Sequence, residues 1–352
     1  MKKMWGVYAA VAVVLYLILN TLNVAGSFKS IEPLEQGTTT ITYTGVPGPE
    51  DMDIDAASGQ LFISSTDRWK VLRGLPSDDG IYVLALDSTQ QPRKLKTTYS
   101  GEFHPHGISL IHSSQGTQLY VVNHNPSGNF VEIFNFKNDT LFHLRSIADP
   151  SMCCPNDVVA VAPNKFYVTN DHGTPKGFKR TLEDYLQLPF GSLLYYNGTA
   201  FSTACSGLRY ANGVNVSNDG AKLYVSTTTG RNLLTFDRDA PTGKITMTNK
   251  MSLKTGLDNI DVDAEGNLWI AAHPKLFAFV GHAKDSSKLS PSQVLKLEPQ
   301  KDGSYKTEEL LMDDGSQLSG SSIAVRYRDE LFVGGVFQRK ILRIKIGTTS
   351  KP

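Results

Sequence analysis

Three cysteines in 352 residues are too few for a scaffold held by disulfides. The odd count leaves at least one thiol without an intrachain partner. No excess of either charge is present: 35 basic residues face 34 acidic ones, for a net charge of +1. That balance excludes nucleic-acid binding by phosphate neutralisation. The chain is nevertheless 40% hydrophobic and only 20% charged, which excludes intrinsic disorder. Several catalytic signatures are missing: there is no G-x-S-x-G elbow, P-loop, Rossmann glycine fingerprint or C-x-x-C. Helical periodicity is scarce too; only 179–188 (KRTLEDYLQL) predicts a short helix. Long hydrophobic runs are confined to the N-terminus. What the chain has in quantity is 30 glycines and 17 prolines, so it turns often.

Lys2 and Lys3 precede an apolar run over 4–19, and no charge follows until Lys29. Residues 1–28 therefore read as a signal peptide or an uncleaved signal anchor, with the anchor favoured because no small-x-small cleavage site stands out. The lysines would stay cytosolic and place residues 29–352 in the secretory lumen or outside the cell, anchored to a membrane or lipid surface if the segment is retained. Three sequons agree with export. Asn138 and Asn197 are the candidate glycan sites, Asn197 at a hairpin tip, whereas Asn215 lies in an alternating apolar segment and is expected to be buried and unmodified.

The body of the chain repeats. A short apolar strand, a polar turn and a second apolar strand recur at MDIDAASGQLFISS (52–65), ISLIHSSQGTQLYVVN (108–123), VVAVAPNKFYVTN (158–170), VNVSNDGAKLYVST (214–227), IDVDAEGNLWIAA (260–272) and IAVRYRDELFVGG (323–335). The second strands begin at Leu61, Leu119, Phe166, Leu223, Leu268 and Leu331. A period of about 54 residues holds roughly four strands, the size of a propeller blade. The expected fold is all-β, a single six-bladed β-propeller over 29–352 behind an N-terminal hydrophobic helix. A blade lacking the motif would make seven.

Polar residues fall in phase with this repeat. Before the second strands stand Glu50-Asp51, His106-Gly107, Asn156-Asp157, Asn212-Gly213, Asp258-Asn259 and Gly320-Ser321. The innermost strand of each blade lines the central channel, so one phase of the repeat is one height around it. Five blades thus aim a carboxylate, amide or imidazole at a common axis. Asn and Asp also favour turns, but five blades in phase make a hard-oxygen cation site, suited to Ca²⁺ rather than zinc, the better account. Without a cation, Glu50, Asp51, Asp157 and Asp258 would repel one another. A second row follows the second strands: Asn123-His124, Asn170-Asp171-His172 and His273-Pro274. His106 and His124 come from one blade and are the candidate base pair for activating water. His172 and His273 are expected to be structural. Adjacent Cys153 and Cys154 bridge each other only with strain, which leaves open a bridge from one of them to Cys205.

The segments PEDMDID (49–55), HPHGIS (104–109), VVNH (121–124), VEIFNF (131–136), NDVVAV (156–161), FYVTNDH (166–172), ANGVNVS (211–217), LDNIDVD (257–263), LWIAAHP (268–274) and LSGSSIA (318–324) resemble the paraoxonase/arylesterase family, in order and over nearly all of the chain after Glu50. The resemblance implies a six-bladed propeller with two calcium ions in its tunnel. It also implies hydrolysis of lactones and aryl esters, with organophosphate hydrolysis as a side activity of some members. By motif, it assigns Glu50, Asn156, Asn212, Asp258 and Asn259 to a catalytic calcium. Asp51, Asp157 and the Ile108 carbonyl fall to a structural one. His106 and His124 become the catalytic pair, with Asp171, His172 and His273 supporting the site.

The departures matter as much. The family's long-range disulfide has no counterpart: 31–48 holds no cysteine, and Arg343 stands at the second position. Ring closure is then expected to rest on strand pairing alone. Ala272 replaces a free cysteine, and Trp69 and Tyr210 stand where the pocket wall carries other aromatics. Competing expectations are a gluconolactonase-like hydrolase with a single metal and a non-catalytic binding propeller.

Overall fold

The computed structural model describes residues 2–114 and 116–346; residues 347–352 of the expected propeller domain lie outside the described residues. Six sheets follow one another around a ring, antiparallel except where Lys96–Thr97 pairs parallel at the outer edge of the second. Their innermost strands are Pro49–Asp55, Pro105–Ser113, Pro155–Ala162, Ala211–Val216, Gly256–Val262 and Ser321–Tyr327. We number the blades 1 to 6 in that order. The second strands, from Gln60–Ser65 to Glu330–Gly335, cover all six positions expected from the repeat. Their alternating Leu, Ile, Val and aromatic residues bury both faces, because each blade is covered by a neighbour on either side.

The core is accordingly six apolar clusters, each shared by two adjacent blades. Leu61 and Ile63 of blade 1 meet Phe332 and Ile341 of blade 6, so the ring is closed. Closure joins the two ends of the propeller: strand Thr38–Thr44 pairs antiparallel with Lys340–Lys345 and completes blade 6. Upstream of it, Leu34–Glu35 adds an edge to blade 5.

Strand pairing is not the only closure, which corrects the sequence-based expectation. The Arg343 guanidinium reaches Glu330 within blade 6, the Tyr43 hydroxyl on the N-terminal strand at 3.1 Å, and the carbonyls of Leu86 and Ser88 beside blade 1 at 3.0 and 2.9 Å. A planar fork with five donors can tie three segments at once, where a disulfide ties two.

The bridge to Cys205 that the sequence left open is absent; all three cysteines are free thiols. Cys154 immediately precedes the innermost strand of blade 3, while Cys205 lies on the outermost strand, Phe201–Leu208. Three inter-strand spacings separate the two edges, about 14 Å, twice what a disulfide spans.

The N-terminal helix α1 (Lys2–Val24) stands outside the ring. Its stretch Met4–Val24 is long and apolar enough to cross a membrane and is hardly buried. Only its C-terminal end docks: Thr21 Oγ1 donates to the Tyr185 carbonyl at 2.8 Å, and the Leu276 amide donates to the Ala25 carbonyl at 2.9 Å. Gly26 permits this approach. Its φ is +67°, and a Cβ there would lie 2.0 Å from the Pro274 oxygen.

Three further helices interrupt the blades: α2 (Arg68–Leu72), α3 (Phe178–Leu186) and α4 (Leu276–Lys284). Helix α3 is the one the sequence predicts. Asn138 and Asn197 sit on exposed turns. Asn215 is half-buried and spends its amide on the Ile260 carbonyl at 2.8 Å.

Candidate active site

Every innermost strand breaks register at its start: between Pro49 and Met52, Pro105 and Ile108, Pro155 and Val158, Ala211 and Val214, Leu257 and Ile260, and Ser321 and Ile323. In blades 1 to 5 the in-phase polar pairs occupy these irregularities. A bulge re-aims side chains and frees a backbone N–H, and here hydroxyls of the second strands take up the freed donors. The Asp51 amide donates to Ser64 Oγ, that of Asp157 to Thr169 Oγ1, and that of Gly213 to Ser226 Oγ. Two of those hydroxyls donate onward to the next blade, Thr169 to the Asn212 carbonyl and Ser226 to the Asp258 carbonyl. The repeat thereby fixes the height of the site around the whole ring.

Within Glu50-Asp51 and Asn156-Asp157, consecutive residues face different cavities. Glu50, His106, Asn156, Asn212 and Asp258 line a large one of about 1040 Å³, with His124, Asp171, His172, Tyr210 and His273. Asp51, Ile108 and Asp157 line a second, of about 240 Å³. Helices α1, α3 and α4 contribute to the wall of the large cavity through Thr21, Asp184 and Phe279.

Glu50 is the hub. Its Oε1 accepts from Asn259 Nδ2 at 3.0 Å and Ser322 Oγ at 2.9 Å, and lies 3.3 Å from His106 Nε2. Arg68, held by the carbonyls of Gly48 and Val336, places its NH2 3.7 Å from Oε2. Burial works to raise the Glu50 carboxyl; His106, Arg68 and Ser322 outweigh it and hold the group at about 2. Asp258 accepts from His273 Nε2 at 2.7 Å, and His273 is stacked on Phe279.

The fit of this set to a cation can be tested on its own atoms. Glu50 Oε2, Asn156 Oδ1, Asn212 Oδ1 and Asn259 Oδ1 are buried without a hydrogen-bond partner. They come from four different blades, and leaving each bare costs about 1–3 kcal/mol. The set of two carboxylates and three amides fits a hard divalent cation that takes oxygen ligands. It offers too few groups for a soft one: among the described residues no cluster of three His, Cys, Asp or Glu is arranged to hold a metal. The second set differs. Asp51 accepts from the Met52 and Ile108 amides, and Asp157 from the Val158 and Val214 amides. Burial and neighbouring carboxylates nonetheless push both groups well up.

His106 and His124 meet, Nδ1 to Nε2, at 2.7 Å. Asn129 sets their polarity. Its Nδ2 donates to the Cys153 carbonyl, so its Oδ1 accepts from His124 Nδ1 at 2.9 Å. His124 Nε2 is then the acceptor, and His106 Nδ1–H the donor. Burial, with the charges of His106 and Arg68, lowers His124 to about 3 and keeps it neutral. His106 Nε2 is turned towards Glu50, 3.3 Å from its Oε1. A proton taken there becomes a charge-assisted hydrogen bond to the carboxylate.

His172 lies between Asp171 and Asp184, at 2.7 Å from each, and Arg180 donates to Asp171. Burial opposes the ring's charge, but the two carboxylates raise it to about 9. This imidazolium ties α3 to the cavity wall, with the Tyr210 ring edge-on at 4.7 Å. Trp69 does not line the cavity, a correction to its expected place. Its indole is stacked on Phe337 and donates to the His282 and Ala283 carbonyls. Sequence reasoning missed Arg68, Asn129 and Ser322; only Ser322 had a signal, being one position from Ser321, which the repeat puts in phase.

The family model described as Arylesterase matches residues 45–343. Serum paraoxonase/arylesterase 2 of Rattus norvegicus is 32% identical, covering 84% of this chain and 85% of that protein. Serum paraoxonase/arylesterase 1 of Homo sapiens is 29% identical, covering 90% and 91%. In fold alone, the chain is similar to a calcium-binding protein, regucalcin, from Agrobacterium tumefaciens, with a TM-score of 0.54 at 16% identity, covering 88% and 93%.

Proposed function

The chain belongs to the arylesterase family, and from that premise we propose that it is a calcium-dependent hydrolase of lactones and aryl esters. The observation that carries the calcium reading is the set of four bare, buried oxygens from four blades. Glu50, Asn156, Asn212, Asp258 and Asn259 would hold the ion. A bound Ca²⁺ supplies an electrophilic clamp for the substrate carbonyl. The large cavity has room for a drug-sized ester.

The chain's own residues move the proton. His106 Nε2 takes it from the attacking water, while His124, held neutral and oriented by Asn129, accepts the His106 Nδ1–H bond. Glu50 stabilises the imidazolium that results. The same proton then leaves His106 for the departing alkoxide or phenoxide. His106→Gln is expected to lower kcat by about 10²-fold with KM little changed, the usual worth of a positioned base. An unchanged kcat would remove the pair from the mechanism.

The test of the whole reading is chelation. EDTA is expected to abolish phenyl acetate and δ-lactone hydrolysis, and added calcium to restore it. A rate indifferent to EDTA refutes the calcium reading. A second reading, with one metal as in gluconolactonase-like enzymes, is favoured by a specific contrast. Asp51 and Asp157 already accept a backbone N–H at each oxygen, whereas the Glu50 set is bare. Counting bound calcium separates the two: two ions per chain support Asp51, Ile108 and Asp157 as a structural site, and one does not.

Export, with α1 retained as an anchor, completes the proposal. Besides α1, the helices at the cavity wall expose Phe178, Tyr185, Phe277 and Val280, a surface suited to lipid. Asn138 and Asn197 are open to glycosylation on their exposed turns.

A further inference from the structure

Cys153 and Cys154 both line the large cavity, and nothing in the hydrolytic scheme uses them. Adjacent side chains in an extended chain point to opposite sides. These two do not. Cys153 Sγ donates to the His172 carbonyl and Cys154 Sγ to the Thr174 carbonyl, each at 3.2 Å, so both thiols face the same loop. Cys205, on the far edge of the blade, is out of reach of either.

The backbone of this pair is wired into the site. The Cys153 carbonyl accepts from Asn129 Nδ2, and Asn129 Oδ1 fixes the ring of His124. Cys154 is followed directly by Pro155 and Asn156, whose Oδ1 is one of the bare oxygens. Any rotation of the peptide between the two cysteines therefore reaches both the histidine pair and the cation cradle.

We propose that Cys153 and Cys154 form a modification site, a vicinal dithiol that exchanges with low-molecular-weight disulfides and, on closing, disarms the adjacent histidine pair. One thiolate attacks the disulfide RSSR, giving a mixed disulfide and one RSH. The neighbouring thiol attacks the bound cysteine sulfur and releases the second RSH. Two electrons pass to the reagent, both thiol protons end on RSH, and one S–S bond joins the cysteines. The ring so formed contains the intervening peptide and twists it from planar trans geometry. Strained disulfides of this kind are the easily reduced, regulatory ones. Closure draws the sulfurs off the His172 and Thr174 carbonyls, turns the Cys153 carbonyl from Asn129, and frees His124.

The activity arm of the test rests on the hydrolase reading above; the chemical arm does not. The reduced full-length protein is exposed to glutathione disulfide, its remaining thiols are blocked with N-ethylmaleimide, and the peptides are mapped by mass. A link between Cys153 and Cys154 is expected, with Cys205 alkylated. In parallel, kcat/KM for a δ-lactone is expected to fall roughly 10- to 100-fold, the usual cost of losing a group that orients a site residue, and to return with dithiothreitol. The double variant Cys153→Ser/Cys154→Ser is expected to keep its rate under the same oxidant. Full alkylation of both cysteines after oxidant overturns the proposal. So does a link that leaves the rate unchanged, or an equal loss of rate in the double variant. A reduced protein that hydrolyses nothing sinks the hydrolase reading, and the mass map still decides the dithiol.

Discussion

Glu50→Gln is expected to lower lactone and aryl ester hydrolysis by about 10⁴-fold, because it removes two catalytic effects together. The amide keeps the shape of the side chain but not its charge. Three groups depend on that charge. The cation cradle loses one of its two carboxylates, leaving Asp258. Arg68, half-buried 3.7 Å away, loses its anion. His106 loses the acceptor that would stabilise its imidazolium form. Electrostatic stabilisation of the kind lost is worth about 10²–10³, and a disturbed general base adds a comparable factor. Calcium affinity, measured by titration, should fall with the rate. If Glu50→Gln binds calcium as the parent does and turns over at a tenth of its rate or better, Glu50 is not the hub of this site.

Arg343→Leu is expected to cost about 3 kcal/mol of stability, since breaking a buried ion pair leaves its partner uncompensated. The residue is 9% exposed, whereas Glu330 is partly open to solvent, which trims the loss. The Tyr43 hydroxyl and the carbonyls of Leu86 and Ser88 lose a donor as well. For a domain of this size the melting temperature should drop by roughly 5 °C. Adding Glu330→Leu to Arg343→Leu should recover part of it, because an apolar pair leaves no stranded charge. A melting temperature within a degree of the parent would show that strand pairing closes the ring unaided.

The repeat made the fold legible because each blade needs the same apolar second strand, and Leu61, Leu119, Phe166, Leu223, Leu268 and Leu331 recur on its period. The candidate site was legible for the same reason: its residues occupy the bulge at one phase of that repeat. Blade 6 shows the limit. Its bulge skips one residue, between Ser321 and Ile323, where blades 1 to 5 skip two. The residue that reaches Glu50 is therefore Ser322 and not Ser321, which the repeat puts in phase.

Arg68 and Trp69 were not separable by pattern, since both sit on α2, which lies outside the repeat. Successive helical residues diverge by about 100°, so Arg68 faces the cavity while Trp69 packs behind it. Asn129 carried no signal either; its role follows from a cross-strand pairing, Asn129 opposite His124. Helix α4 was hidden because LFAFVG is as apolar as a buried strand.

The pairing of Thr38–Thr44 with Lys340–Lys345 also sets an order of events. The strand of blade 6 that is synthesised first waits for the one synthesised last. Until residue 345 has cleared the ribosome, blade 6 lacks its outer half and the face of blade 1 that it covers stays open. Biogenesis therefore ends in a single late event that needs the full-length chain, and a polypeptide truncated before Lys340 could not complete it.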